Sequence, residues 1–389
     1  MTDDPLSTGG VRLSEKVEQA RSLRPLILEH RDESDRACRL AQPVVEALAE
    51  LGVFQAMVPR TADGEEWDLP TTMRVLEELS RVDGAVGWVA GVGGGVNAFV
   101  SGWLETDVAR EKFGRDRLAV CAGAGLRSGR AKRVDGGYVL VGRWSFASAA
   151  PHAVWFLTGY DLETADDAAK LEGLPMMLVP ARDVSIVNTW DVGGMRGTGS
   201  HDIRVDGAFV PHARVFNAVI DAPKHPGPLY RIPPILVFGS GLGPLCLGLA
   251  RGAIDCFIEL MGTKVDRRTG TRMADRLTIQ ERLAQAEAAV RSVRAFLYET
   301  ADDIWRTVNA SEPLSDRQVA LARLANMNAT ASGARAVDLV YHAAGISGIY
   351  TSSLLERFFR DVHVATQHRV ASPEEMFQAG RVLLDEAHG

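Results

Sequence analysis

The chain has 389 residues, 46% of them hydrophobic and 24% charged, with a formal net charge of −7. That length holds two or three packed units, and the composition is that of a globular protein. The acidic balance argues against a nucleic-acid binder, whose surface must be basic to neutralise phosphates, and no uninterrupted apolar run reaches the roughly 18 residues needed to cross a bilayer.

The first ten residues, MTDDPLSTGG, are polar and acidic. They read as a short disordered lead-in rather than a secretory signal. Helices follow. Val44, Val45, Leu48, Leu51 and Val53 recur at helical spacing, as do Met73, Leu76 and Leu79. Residues 87–104 are apolar on nearly every side, the pattern of a buried helix, with glycines that permit close approach. From residue 118 the pattern changes to short stretches rich in Val and aromatics, punctuated by Gly, Pro and Asp. VDGGYVLVG reads as a hairpin, its turn at Asp135-Gly136 or Gly136-Gly137. After the proline-rich APKHPGPLYRIPP the helical period returns, with Leu283, Ala286, Val290, Val293 and Leu297 on one stripe. The expected units are a helical domain over 11–117, a β domain over 118–225 and a helical bundle over 226–389. The four cysteines, Cys38, Cys121, Cys246 and Cys256, form no CxxC pair. They are expected to be buried, reduced thiols in a cytoplasmic protein rather than zinc ligands or a redox pair.

The chain holds no HExxH metal motif, no GxSxG nucleophile elbow and no P-loop. Chemistry in such a chain falls to an organic cofactor, and three stretches are candidates for holding one. GRWSFASAAPHAVW (142–155) is either a strand with an aromatic face or a platform for a flat ring system, built on Trp144, Phe146 and Ser148. GGMRGTGSHDIRVDGAFVP (193–211) is either a polar loop or one whose backbone approaches a ligand, with Arg196, Thr198 and Ser200 directed at it. RFFRDVHVATQH (357–368) is either a solvated helix face or a place where a proton moves. In a continuous helix Asp361 and His368 would share a face and His363 would point elsewhere.

The order and spacing of LEELSRVDGAVGW, VDGGYVLVGRWSFAS, GMRGTGSHDIRVDGAFVP and AAGISGIYTSSLLERFFRDVHVATQH resemble the acyl-CoA dehydrogenase superfamily over almost the whole chain. More narrowly they resemble its flavin-dependent monooxygenase branch, the oxygenase halves of two-component systems. The resemblance implies an α+β fold: an N-terminal helical domain, a central β-barrel-like domain and a C-terminal four-helix bundle, assembled as a homotetramer. It implies reduced FAD or FMN from a separate flavin reductase, O2 as co-substrate, and hydroxylation of a small aromatic or other electron-rich molecule through a C4a-hydroperoxyflavin. Neither a nucleic acid nor a membrane is an expected partner.

The glutamate base of the dehydrogenases falls at Arg369 here, and arginine stays protonated. The nearby Glu374 and Glu375 would need a register shift. Dehydrogenation of an acyl-CoA therefore stands as the alternative, with a non-catalytic flavin-binding scaffold as a third reading. In the oxygenase branch the resemblance makes His368 the proton-handling residue, able to accept a proton or donate a hydrogen bond. It puts Phe146 against the isoalloxazine and the Ser148 hydroxyl near flavin N5, in a branch where Ser-Gly usually stands in place of Ser148-Ala149. Arg196, Thr198 and Ser200 match the second flavin loop. Arg360, with Arg357 and Asp361, is expected to position its helix and meet cofactor phosphates. Arg267, Arg268 and Arg272, in KVDRRTGTR, either contact the pyrophosphate of a neighbouring subunit's flavin, with Arg268 and Arg272 the candidates, or are simply solvated. Trp88, Phe99 and the residues after His368 are expected pocket walls.

Overall fold

A computed structural model describes residues 13–114, 116–163 and 172–388; the N-terminal lead-in lies outside them. The first region is helical: α1 (Leu13–Ser22), α2 (Arg24–Ala37), α3 (Gln42–Leu51), α4 (Leu69–Ser80), α5 (Gly84–Trp103) and the single turn α6 (Thr106–Ala109). Caps fix the starts of the two central helices. The Asp68 carboxylate accepts from Thr71 N at the head of α4, and Asp83 accepts from Ala85 N and Val86 N at the head of α5. By length and composition α5, and α7–α8 over 234–263, are apolar enough to cross a membrane, contrary to the expectation from uninterrupted runs. Both are mostly buried within the protein, so their apolar character serves the core.

The sheet comprises β1 (Val120–Val134), β2 (Gly137–Ala147), β3 (Ala153–Leu162), β4 (Pro175–Pro180), β5 (Ser185–Val187), β6 (His201–Pro211) and β7 (Val215–Asn217). They form one half-barrel sheet in the order β5-β6-β2-β1-β3-β4-β7. Val134 pairs with Gly137, so the β1–β2 turn is Asp135-Gly136, with Gly136 at φ +73°. The ladder between β2 and β6 slips between Trp144 and Ala147. That slip decides where two aromatic rings go. Strict alternation would put Phe146 on the same inner face as Trp144. The extra residue lets Ala147 take the inward place and turns Phe146 out: Trp144 is 0% exposed and Phe146 66%.

The last region holds α7 (Pro234–Gly239), α8 (Leu242–Thr263), α9 (Leu277–Asn309), α10 (Asp316–Ala344), α11 (Leu354–Ala365) and α12 (Pro373–His388). Helices α8 to α11 make the bundle, and α12 adds a fifth helix against α10. The stripe expected on α9 faces inward at Ala286, Val290, Val293 and Leu297. One core runs through both helical regions and into the start of β1; a second, around Trp144, fills the sheet domain. All four cysteines are free, but only Cys121 and Cys246 are buried; Cys38 and Cys256 are partly exposed.

Candidate active site

The candidate site is built where the end of β2, the 195–200 loop, α5 and the chain after α11 meet. At its floor is a line of hydroxyls. Trp88 Nε1 lies 2.9 Å from Ser148 Oγ, Ser148 Oγ 2.8 Å from Ser200 Oγ, Ser200 Oγ 2.8 Å from Thr198 Oγ1, and Thr198 Oγ1 2.8 Å from the Met195 carbonyl oxygen. Ser148, Thr198 and Ser200 are buried. Ala149 N donates to Thr198 O, which stitches the two loops together. Ala149 holds φ +66°, the left-handed conformation that the Gly of a Ser-Gly pair would adopt without strain. The backbone shape is thus kept without the glycine.

Above this floor Phe146 stands at φ +63°, a conformation that bulky residues rarely adopt. Its ring meets the edge of Trp190 at 6.4 Å. Trp190 is held in turn: its Nε1 donates to Met195 O, and its backbone N, like that of Thr189, donates to His201 Nδ1. Burial lowers the His201 pKa, which favours the neutral ring that those donors require.

His368 closes the other side. Its ring sits edge-on to Trp88, centroids 5.0 Å apart. It is not on the same helix as Asp361, as a continuous helix would have it. α11 ends at Ala365, and His368 caps the short turn Arg369–Ala371. Val370 N donates to His368 Nδ1 at 3.4 Å. The proton of the neutral ring then sits on Nε2, which becomes a donor. Desolvation, helped by the charge of Arg369, lowers the imidazole pKa. Of the two roles open to His368, this arrangement favours donation.

The arginines are placed differently from expectation. Arg196 is committed to the Asp35 and Val192 carbonyls and to Asp191. Arg360 bonds Glu356 and the Gly193 carbonyl. Arg357 reaches Asp35, Asp32 and the Arg31 carbonyl. All three tie α2, α11 and the 190s loop together rather than offering free cations. Asp361 completes this clamp, accepting from Met195 N at 2.5 Å. Gly194 is the close-contact point, since a Cβ there would lie 2.4 Å from Arg360 O. Arg268 and Arg272 are exposed on the hairpin after α8, with Arg272 paired to Asp275. Leu249 packs beside Gly84 and Met195, and Thr263 lies roughly 20 Å further along the α8 axis at 1.5 Å per residue. The fold of one chain therefore keeps this hairpin well away from its own cleft. Trp144 is corrected outright: its indole fills the sheet core over Gly129 and Gly142 and donates to Gly159 O, so it touches no ligand.

Glu375 pairs with Arg323, and Glu374 accepts from Gln378, both on α12. Neither replaces the dehydrogenase base. Val370 lines an apolar cleft with Leu69, Met73, Leu236, Leu297 and Ile304. Phe99 lines a smaller neighbouring one with Trp103 and Phe238, the two sharing Ile232. Trp88 was legible only as a wall. Its bond to Ser148 spans sixty residues, and no local pattern announces it.

Comparison with known proteins agrees with this layout. Residues 19–103 match the acyl-CoA dehydrogenase N-terminal domain family and residues 240–373 the acyl-CoA dehydrogenase C-terminal domain family. Indole-3-acetate monooxygenase of Acinetobacter baumannii is 31% identical over 352 residues, covering 90% of this chain and 89% of its own. The oxygenase subunit HsaA of a flavin-dependent monooxygenase from Rhodococcus jostii is 26% identical, covering 92% and 94%. The structure of XiaF from a Streptomyces species, in complex with FADH2 and glycerol, superposes with a TM-score of 0.89 at 24% identity, covering 96% of each chain.

Proposed function

The chain belongs to the acyl-CoA dehydrogenase family and, within it, to the flavin-dependent monooxygenases, and from that premise we propose how its cleft performs the activity. It takes reduced flavin from a separate reductase and, with O2, hydroxylates an aromatic or similarly electron-rich small molecule. The observation that carries the reading is the convergence of Ser148, Trp88 and His368 from three regions of the chain, with an arginine where a dehydrogenase keeps its base. The residues fit an isoalloxazine. Phe146 offers a flat apolar face, Ser148 a hydroxyl, and Trp88 with His368 an opposite wall.

When bound, the flavin supplies the redox chemistry with oxygen. The chain holds the ring, excludes water with Trp88 and Phe146, and presents the Nε2 proton of His368 to an oxygen atom in the cleft. With Arg196 and Arg360 committed within the chain, the flavin phosphates fall to a neighbouring subunit. Arg268 and Arg272 are the candidates, in a homotetramer. FAD and FMN both fit this reading. The four free thiols suit the cytoplasm.

The test supplies chemically reduced FAD or FMN, isotopically labelled O2, and indole-3-acetate, resorcinol and simple phenols in turn. Label in a hydroxylated product is the expected result. Bleaching of oxidised FAD by an acyl-CoA thioester would instead make the protein a dehydrogenase.

A further inference from the structure

The turn Arg369–Ala371 carries a charge that nothing in the chain answers. His368 and Arg369 stand side by side at its start, and its backbone is fixed. Ala371 N donates to His368 O at 2.8 Å and Ser372 N to Arg369 O at 3.0 Å, while Val370 N donates to His368 Nδ1. Arg196, Arg357 and Arg360 are held by carboxylates and carbonyls of the chain. The Arg369 side chain is exposed, and among the described residues no hydrogen bond or ion pair engages its guanidinium. The acids nearby are otherwise engaged. Glu375 is paired with Arg323, Glu374 accepts from Gln378, and Asp361 is turned inward to Met195 N. Yet the Arg369 charge reaches the neighbouring ring, where it helps to depress the His368 pKa. The turn thus brings donors to the site and no acceptor: the Nε2 proton of His368 and the five N–H groups of an arginine.

We propose that Arg369 is a specificity-determining residue, which takes the carboxylate of an acidic aromatic substrate. The inference rests on the reading of the site as that of a flavin-dependent monooxygenase. Arg369 stands where the resemblance puts the dehydrogenase base, and a base must lie within reach of the substrate it deprotonates. A glutamate at that place removes a proton from a substrate; an arginine, always charged, binds an anion instead. A carboxylate matches the planar guanidinium fork through two parallel N–H···O bonds. Trp88, edge-on to His368 beside the turn, offers an apolar face to the aromatic body. In open water the guanidinium would gain little from an anion, but a substrate that covers it removes the screening and strengthens the contact. The flavin phosphates are the rival anion, and a change in flavin affinity tells them apart.

The experiment uses matched probes that share a ring and an arm and differ in charge: indole-3-acetate with indole-3-acetamide, and para-hydroxyphenylacetate with its amide. Binding to protein loaded with reduced FAD is measured anaerobically by equilibrium dialysis, and labelled O2 is then admitted to the same samples. Wild-type protein is expected to bind each acid about tenfold or more tightly than its amide. Arg369→Ala should bring that ratio close to one by weakening the acid. Arg369→Lys should restore part of it, since a point charge replaces the fork. Equal wild-type affinities for acid and amide, a ratio unmoved by Arg369→Ala, or a loss of reduced-FAD affinity in place of acid affinity would each overturn the proposal. Wild-type protein that binds neither acid would overturn it as well. Label missing from every product while the acid preference stands would count against the oxygenase reading and not against Arg369. Label present without that preference would remove this inference and leave the oxygenase reading.

Discussion

Two opposing demands meet at Phe146. Its backbone sits in the left-handed region, which costs a residue with a side chain about 1–2 kcal/mol, while its exposed ring gains no core contacts in return. Phe146→Gly is therefore expected to raise stability by about 0.5–1 kcal/mol, after the entropy that glycine adds to the unfolded chain. Flavin affinity should fall about tenfold with loss of the aromatic face. Thermal melting and flavin titration of the one variant check both halves. His368 makes a different prediction. His368→Ala should lower hydroxylation roughly 100-fold while leaving reduced-flavin affinity within a few-fold. Burial and Arg369 put the pKa of the wild-type ring below 6.5. The acid limb of the rate profile should accordingly lie below that pH and vanish in the variant. The resemblance singles out Phe146, Ser148 and His368 by position, and the fold brings Ser148 and His368 to Trp88. The opposite orientations of Trp144 and Phe146 were not legible, because a β-bulge leaves no mark in the alternation of WSFAS, and one extra residue turns the Phe146 ring outward.

At the scale of elements, the charged helix α11 proves to be a clamp. The sequence offered two readings of RFFRDVHVATQH, a solvated face or a proton site. The fold divides the stretch instead. Arg357, Arg360 and Asp361 grip α2 and the 190s loop, and the helix then stops so that His368 can turn toward Trp88. Neither the helix end nor the loop contact shows in local spacing, since no glycine or proline stands between Asp361 and His368.

The Asp361 carboxyl is buried and faces Asp83 at the head of α5, which together raise its pKa to about 7; Met195 N, Arg357 and Arg360 oppose the rise. Between about pH 4 and pH 7 the folded protein holds a proton there that the unfolded chain has lost. That contribution to stability is complete below the unfolded pKa and is lost as the pH rises through the folded one. The slope from this group is at most about 1.4 kcal/mol per pH unit. Asp361→Asn keeps an acceptor for Met195 N and removes the titration. Denaturant unfolding across that pH range should therefore be flatter for the variant than for the wild type. Equal slopes would remove Asp361 from the account.

For the whole molecule, the sequence conveyed the succession of helices, strands and helices, because the change of period near residue 118 is sharp and the proline-rich return after the sheet is equally so. What it could not convey is which cations remain free, since that depends on partners far away in the chain. Arg196 and Arg360 looked available and are engaged; Arg268 and Arg272 are exposed but remote from the cleft of their own chain. The double variant Arg268→Ala, Arg272→Ala should weaken flavin binding about tenfold or more, with a larger loss for FAD if the pyrophosphate is the contact. Sedimentation should show an unchanged assembly. On the proposed tetramer, dilution to the point of dissociation should cost the wild type flavin affinity to a similar degree.

The meeting of Trp88, Ser148 and His368 also has a consequence in time. A ribosome delivers these residues in that order, the third 220 positions after the second. The Asp361 grip on the hydroxyl loop arrives only with the third. A partly synthesised chain can build the helical domain and the sheet, yet it lacks the groups that fix the loop and close the cleft. Reduced flavin spends its electrons on oxygen wherever it is held loosely, so a nascent enzyme that bound it early would be a source of oxidative damage. Placing the closing residues so long after the rest of the site ties competence to their synthesis.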